Sequence, residues 1–295
     1  MIDFLKVEPM KIEDLYEEIL KITYRIPEGR RTSYGLIAEA LGDKIASRAV
    51  GEVLSRNPRP GRPPRGIPCH RVLYSDGRIG KYAFGSELKK ILLLQEGVEI
   101  EGDKALGEPR KPDRIGILER RKEEQRRVRK AAEESSSREI ESFRGYILGL
   151  DASYKRSRLY DYAISVAVLM NPLGEIEDAV FTITLAKVPY IPTYLAYREL
   201  PAYKPLAEYF IDKADLIAVN GHGLAHPRAG IASHLGYLLD KPSIGVAKKL
   251  LRNTQAIKIG KRYLSPGYKS KIYPEAIKAI EKADKLTKLL LREFS

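Results

Sequence analysis

The chain has 295 residues, of which 43% are apolar and 31% charged, with 52 Lys and Arg against 39 Asp and Glu, a formal net charge of +13 and one cysteine. That balance excludes a disordered chain and an intramolecular disulfide framework; no uncharged run is long enough to span a bilayer, and the start, MIDFLKVEPMKIEDLYEEIL, lacks a secretory-signal pattern. The expectation is a cytoplasmic protein without a membrane partner, whose excess positive charge is matched to a polyanion, nucleic acid first.

The length accommodates two ordinary domains, and no repeat of fixed period is visible. IEDLYEEILKITYRI carries apolar residues at helical spacing. TSYGLIAEALG is predicted as a second helix, capped by Thr32 or Ser33 and stopped by Gly42, and KIASRAVGEVLSRN as a third after a short turn. Two short helices across a tight turn read either as a helix-turn-helix, with the second helix for recognition, or as a plain helical hairpin. Residues 48–90 hold ten basic and three acidic side chains, which brings the DNA-binding reading level with the other.

The stretch GIPCHRVLYSDG, residues 66–77, contains the cysteine. Pro68 stiffens the approach, so Cys69 is expected just past a rigid turn. His70 offers a base and Arg71 a positive charge that favours a thiolate. On these residues alone Cys69 is either a small buried hydrophobe or a reactive thiol.

Residues 106–145 combine two prolines, a dense mixture of charges and a serine run, and are expected to be a solvated, partly helical linker. Beyond it, YILGLDASY, YAISVAVLM and AVFTITLA read as three strands, with NPLGEIED as the turn between the last two. A Tyr-rich helix follows around 193–211, then a buried strand LIAVN, a helix GIASHLGYLLD, a strand PSIGVAK and an amphipathic helix over 274–292. The predicted fold class is α+β/α/β in two domains. A mostly helical helix-turn-helix domain covers 1–105, the charged linker covers 106–145, and a mixed sheet flanked by helices covers 146–295.

TSYGLIAEAL, SRAVGEVLSRNP, IPCHRV, GRIGKYAFG and ELKKILLLQEG resemble, in order, the DNA-binding half of O6-alkylguanine-DNA alkyltransferases. In that family a thiolate attacks the alkyl carbon of a flipped-out guanine and keeps the group permanently, because the target oxygen is unreachable within the duplex. The resemblance implies Cys69 as acceptor, His70 as base through a water, and Glu96 as its orienting partner. It implies Asn57 as hinge, Tyr34 as proton donor or positioner for the leaving guanine, and Arg48 as the finger filling the vacated stack. Tyr82 and Lys89 are implied to contact the site or the strand. The loop PRPGRPPRGIP between Asn57 and Cys69 is longer than the family's, and its arginines are expected to add phosphate contacts.

LGLDASY, VPYIPTYLAYRE, NGHGLAHPRAGIASHLG, PSIGVAKK and SPGY resemble endonuclease V, a ribonuclease H-like fold that cuts nucleic acid just beyond inosine with Mg²⁺. The resemblance implies Asp151 and Glu199 as metal ligands, Tyr190 as the strand-separating wedge and Lys248 at the scissile phosphate. His226 and Arg228 become candidates for contacts to phosphate or metal-bound water. Two positions depart: Asn220 stands where the family has its third acid, and Tyr268 where it has a histidine. Asparagine still offers a metal one neutral oxygen. The implied protein is a bifunctional repair enzyme acting on duplex DNA with alkylated guanine or deaminated adenine, with inosine-containing RNA as a second candidate. The alternative is an alkyltransferase fused to an endonuclease V-like module that binds deaminated bases without cutting. His234 is expected against the sheet, and His222 in a loop near the inosine pocket.

Overall fold

The computed structural model describes residues 2–251 and 256–294. The first half contains β1 (Asp3–Phe4), α1 (Leu15–Tyr24), β2 (Thr32–Ser33), α2 (Tyr34–Leu41), α3 (Ser47–Ser55), β3 (Val72–Leu73), α4 (Ser86–Gln95), β4 (Ile100–Glu101) and β5 (Lys104–Ala105). Asp14 caps α1 by accepting from the Glu17 amide at 3.1 Å. Of the two candidate caps for α2, Ser33 does the work, accepting from Leu36 N, whereas Thr32 donates to the Arg110 carbonyl. Gly42 closes α2 at φ 108°, and a Cβ there would meet the Glu119 backbone nitrogen at 2.6 Å. The helix-turn-helix is present, α2 leading through a 3₁₀ turn at Lys44–Ala46 into α3. Its apolar face, with Ile37, Leu41, Val50 and Val53, packs with Leu15 and Ile19 of α1 in one core.

The segment 106–145 is less solvated than its charge suggests. It forms α5 (Ile117–Ser135), which buries Ile117, Leu118, Gln125, Val128 and Ala132 along one side. Arginine–glutamate pairs such as Arg121–Glu124 and Arg129–Glu133 line its wetter sides. A helix so rich in charge forms because four apolar side chains, Ile117, Leu118, Val128 and Ala132, are buried, and charged ones such as Lys122 and Arg129 find partners on the neighbouring segments.

The second half contains β6 (Ile147–Arg156), β7 (Asp161–Met170), β8 (Ile176–Ala186), α6 (Leu195–Tyr209), β9 (Leu216–Val219), α7 (Ile231–Leu239), β10 (Ser243–Ala247), β11 (Ile257–Ile259), β12 (Arg262–Tyr268) and α8 (Ala276–Glu293). Its sheet runs β1-β8-β7-β6-β9-β10-β12-β11, with β6, β7 and β8 antiparallel and β6, β9 and β10 parallel. Leu148 and Leu150 face α6 and α7, while Ile147 faces α8. Gly149 allows α8 to approach closely, since a Cβ there would meet the Ala279 carbonyl oxygen at 2.6 Å. The hairpin β11–β12 at the sheet edge escaped the sequence reading because β11 has three residues and β12, RYLSPGY, carries a Ser-Pro-Gly run that breaks a strand pattern. β1, from the start of the chain, pairs in parallel with β8, so the sheet takes its outermost strand from the first half.

The halves share a core. Leu159, Val188, Ile191, Tyr194 and Tyr197 of the second half pack in the same cluster as α1, α2 and α3. Among the described residues no helix is long and apolar enough to cross a membrane.

Candidate active sites

Cys69 opens a 3₁₀ turn directly after Pro68 and is only 5% exposed. Asn57, just beyond the carboxyl end of α3, donates its Nδ2 to the thiol sulfur at 3.2 Å. Burial pushes the thiol up to about 11, and the Asn57 hydrogen bond and then the Lys89 charge oppose that rise. Cys69 at neutral pH is therefore a thiol that must lose a proton when it attacks. The cation beside it is Lys89, not Arg71. Arg71 turns inward, gripping both carboxylate oxygens of Glu96 at 2.8 Å and donating to the Ile26 carbonyl. Lys89 is buried and lowered to about 8 by that burial, with its ammonium on the Val72 carbonyl at 2.7 Å.

His70 is fully buried, with Nε2 2.9 Å from Glu96 Oε1. Burial lowers the His70 pKa although Glu96 raises it, and Glu96 itself is held below the usual carboxylate range by Arg71 and His70 against its own burial. An ionised carboxylate only accepts, so Nε2 carries the proton and Nδ1 presents a bare lone pair. That Nδ1 is buried and has no hydrogen-bond partner. A groove passes this group, lined by Tyr34, Ser47, Arg48, Gly51, Glu52, Cys69 and Tyr82 among others. Arg48 is exposed on α3, Tyr34 is pushed up to about 12 by burial, and Tyr82 lies edge-on to the His70 ring at 6.2 Å. Four of the eight candidates of the first half, Tyr34, Arg48, Cys69 and Tyr82, line the groove; Asn57 and Lys89 act on Cys69 from behind it, and Glu96 holds His70. Arg62, one of the long loop's arginines, turns instead toward Gln95 and Glu96.

In the second half, β9 ends at Val219 opposite Leu150, midway along the longer β6, so Asn220 leaves β9 beside Asp151. Asn220 Nδ2 donates to Asp151 Oδ1 at 2.7 Å, and Thr287 of α8 donates to Asp151 Oδ2 at 2.9 Å. Burial raises Asp151, and the nearby Asp284 charge adds to this. Glu199 is buried on α6 and pushed up to about 8, by burial first and by the Asp151 charge second, and its Oε2 has no partner. Such an unbalanced set of hard oxygens suits a divalent cation. Asp151, Glu199 and the Asn220 side-chain oxygen are the groups that could hold one, and among the described residues no three His, Cys, Asp or Glu side chains converge into a ligand cluster.

The other candidates are spread around this centre. Lys248 is exposed and pairs with Asp284 at 2.7 Å. Tyr190 is 60% exposed on the loop before α6, as a wedge requires. His226 is buried, lowered to about 3 chiefly by burial, and its Nδ1 accepts from the Arg228 amide. Arg228 does not face the carboxylates. It bonds Asp43 Oδ2 at 3.1 Å in the helix-turn-helix turn and lies over the Tyr194 ring. Asp43 also accepts from Tyr194 at 2.8 Å and from Lys122 at 2.9 Å, so one carboxylate ties the turn to both loops flanking the second site. Tyr268 donates to Asp240 at 3.0 Å and packs edge-on against Tyr237. His234, expected against the sheet, points from α7 to Tyr197 of α6, 3.3 Å from its hydroxyl.

Sequence reasoning missed Asp284, Thr287 and Asp43. The first two sit in an ordinary amphipathic helix, and Asp43 looks like any helix-stop acid. Only the packing of α8 on β6 brings the first pair to Asp151.

A helix-turn-helix beside a buried Cys–His–Glu group, joined to a mixed sheet whose Asp151 lies beside Asn220 and is sensed by the buried Glu199 of α6, defines a two-module nucleic-acid enzyme. Residues 14–98 match the family described as 6-O-methylguanine DNA methyltransferase, DNA binding domain, and residues 126–284 match Endonuclease V. The chain is 37% identical over 258 residues to the bifunctional methyltransferase/endonuclease of Picrophilus torridus, covering 86% of this chain and 80% of that one. It is 32% identical over 253 residues to that of Thermoplasma volcanium, covering 82% and 72%. The catalytic domain of human Endonuclease V shares the fold of the second half, with a TM-score of 0.51 and 22% identity over 60% of this chain and 96% of that one. The chain belongs to the bifunctional methyltransferase/endonuclease family.

Proposed function

We propose that residues 1–105 transfer the alkyl group of O6-alkylguanine in duplex DNA irreversibly to Cys69. Residues 146–295, held through 106–145, are proposed to cut DNA beside deoxyinosine with Mg²⁺. The observation that carries the first activity is the bare, buried Nδ1 of His70, next in sequence to a thiol held by Asn57. As Cys69 Sγ bonds to the alkyl carbon, the carbon–O6 bond breaks, and the thiol proton passes through a water to His70 Nδ1. Glu96, fixed by Arg71, holds the resulting imidazolium. Tyr34 relays a proton to the departing guanine, which leaves neutral, and takes one back from the imidazolium through water. Lys89 stabilises negative charge on sulfur, Arg48 fills the vacated stack, and Tyr82 lines the pocket. One alkyl group per protein follows from the single cysteine. A thiol that must stay reduced fits a cytoplasmic setting.

In the second half Asp151, Glu199 and Asn220 are proposed to hold Mg²⁺, which when bound would activate a water and neutralise charge at the scissile phosphate. Lys248, paired with Asp284, is proposed to exchange that partner for the phosphate. Tyr190 is proposed as the wedge, His226 as a neutral imidazole near the displaced base, and Arg228 as the residue that positions its loop through Asp43. Asn220 favours one second reading, a module that binds inosine in DNA or RNA without cutting.

The experiment is one assay in two arms. Labelled methyl uptake from a duplex with one O6-methylguanine is expected from the wild type and lost in Cys69→Ala, with duplex binding retained. A Mg²⁺-dependent nick beside one central inosine is expected in the second arm. Tight binding without a nick would favour the binding-only reading, and uptake by Cys69→Ala would remove Cys69 as acceptor.

A further inference from the structure

The hairpin joining β6 to β7 reaches out of the second half and into the first. Leu159, near its tip, is buried in the core built by α1, α2 and α3. Arg56, at the carboxyl end of α3, wraps the tip. It donates to the carbonyls of Arg158, Ser157 and Tyr160, each at 2.9 Å, and to Asp161 Oδ1 at 2.7 Å. Arg198 completes the anchor from α6, donating to Asp161 Oδ2 at 2.6 Å. A tip held by buried apolar contact and this many charge-assisted hydrogen bonds is a fixed part of the surface around α3.

What the tip presents is basic. Arg156 is 71% exposed along its side chain and reaches Glu52 Oε1 at 2.7 Å. Arg158 is exposed beside it. Glu52 stands on α3 and lines the groove that also holds Arg48, Tyr34 and Cys69. An acid on the recognition face repels phosphate, and Arg156 neutralises it from the other half of the chain. Exposed ion pairs are weak, so a phosphate can take over the arginine.

We propose that Arg156 and Arg158 bind the phosphate backbone of the duplex whose alkylated base is presented to Cys69. The second half thereby contributes part of the first half's DNA-binding surface. This rests on the reading of the first half as an alkyltransferase acting on duplex DNA. Each arginine on a phosphate releases about 0.9 of a counterion, so removing both lowers the salt slope of binding by about 1.8.

The test uses the full-length chain and the variant Arg156→Ala/Arg158→Ala. Both are titrated with a duplex carrying one O6-methylguanine at several salt concentrations, and both are reacted with the free alkylated base, which needs no duplex. The expected result is duplex affinity reduced about tenfold or more at low salt, with a shallower salt slope and unchanged reaction with the free base. Equal affinity and slope for variant and wild type, with an active wild type, would overturn the hairpin's role alone. A wild type that takes up no alkyl group from the duplex would overturn both readings. Both side chains are exposed, so a lower melting temperature of the variant would show that the hairpin is structural and would also overturn the proposal.

Discussion

Asn220 donates its amide to Asp151 at 2.7 Å, where β9 ends against the middle of the parallel β6. The hydrogen bond holds Asp151 against the cost of its burial. An asparagine is compatible with the metal-free protein, whereas an aspartate needs a cation between the two carboxylates. Asn220→Asp is therefore expected to tighten Mg²⁺ binding about tenfold and to raise cleavage beside inosine. Metal titration followed by nicking assays checks it, and no gain in either would mean the site is organised around the amide.

Glu199 makes the metal-free protein sensitive to pH. Its folded-state value lies near 8, above the ordinary 4.5. A carboxyl raised on folding favours the folded state below its unfolded value, and that contribution is lost as pH rises from about 4.5 toward about 8. Mg²⁺ should offset the loss, so the rise in melting temperature on adding Mg²⁺ is expected to be larger at alkaline than at mildly acidic pH. Glu199→Gln should abolish that difference, and scanning calorimetry reads both.

The pH profile of alkyl transfer follows from His70. Burial holds its pKa below 6.5, so the imidazole stays a neutral base through neutral pH. Single-turnover transfer is expected to hold its rate as pH falls to 6.5 and to drop only below it. Asn57→Ala should slow transfer about tenfold by freeing the sulfur, without moving that acid limb. A limb at or above 6.5 would count against His70 as the base.

Asp43 ties the helix-turn-helix to both loops of the second site. Lys122, Tyr194 and Arg228 hold it below its ordinary 3.8 against its own burial. For a depressed acid the sign runs the other way: its stabilisation is present above 3.8 and lost as pH falls through the folded value. Asp43→Asn is expected to cost about 2 kcal/mol at neutral pH and to flatten the acid limb of the stability curve. Denaturant unfolding of both forms across pH checks this.

The chain's own pattern was enough for the two modules, for most of the helices and strands, and for Cys69 and His70 as candidates, while Glu96, Asp151 and Glu199 became candidates through the motifs' resemblance to two families. Apolar spacing and short chemical motifs are local, and local features are legible in order along a chain. The charged α5 was harder to read, because its few buried residues matter only once α2 and α7 lie against it. The same holds for β1, whose two residues become a strand only by pairing with β8, far along the sequence. Which cation faces Cys69 was also a tertiary matter: Arg71 is adjacent in sequence but points to Glu96, and Lys89 arrives from α4. Asp284, Thr287, Asp43 and the Arg56-clamped hairpin likewise acquire meaning only from long-range contact. Sequence periodicity determines which face of an element is buried. What that face meets, and which charges are left to oppose each other, is decided by packing between segments that the sequence keeps apart.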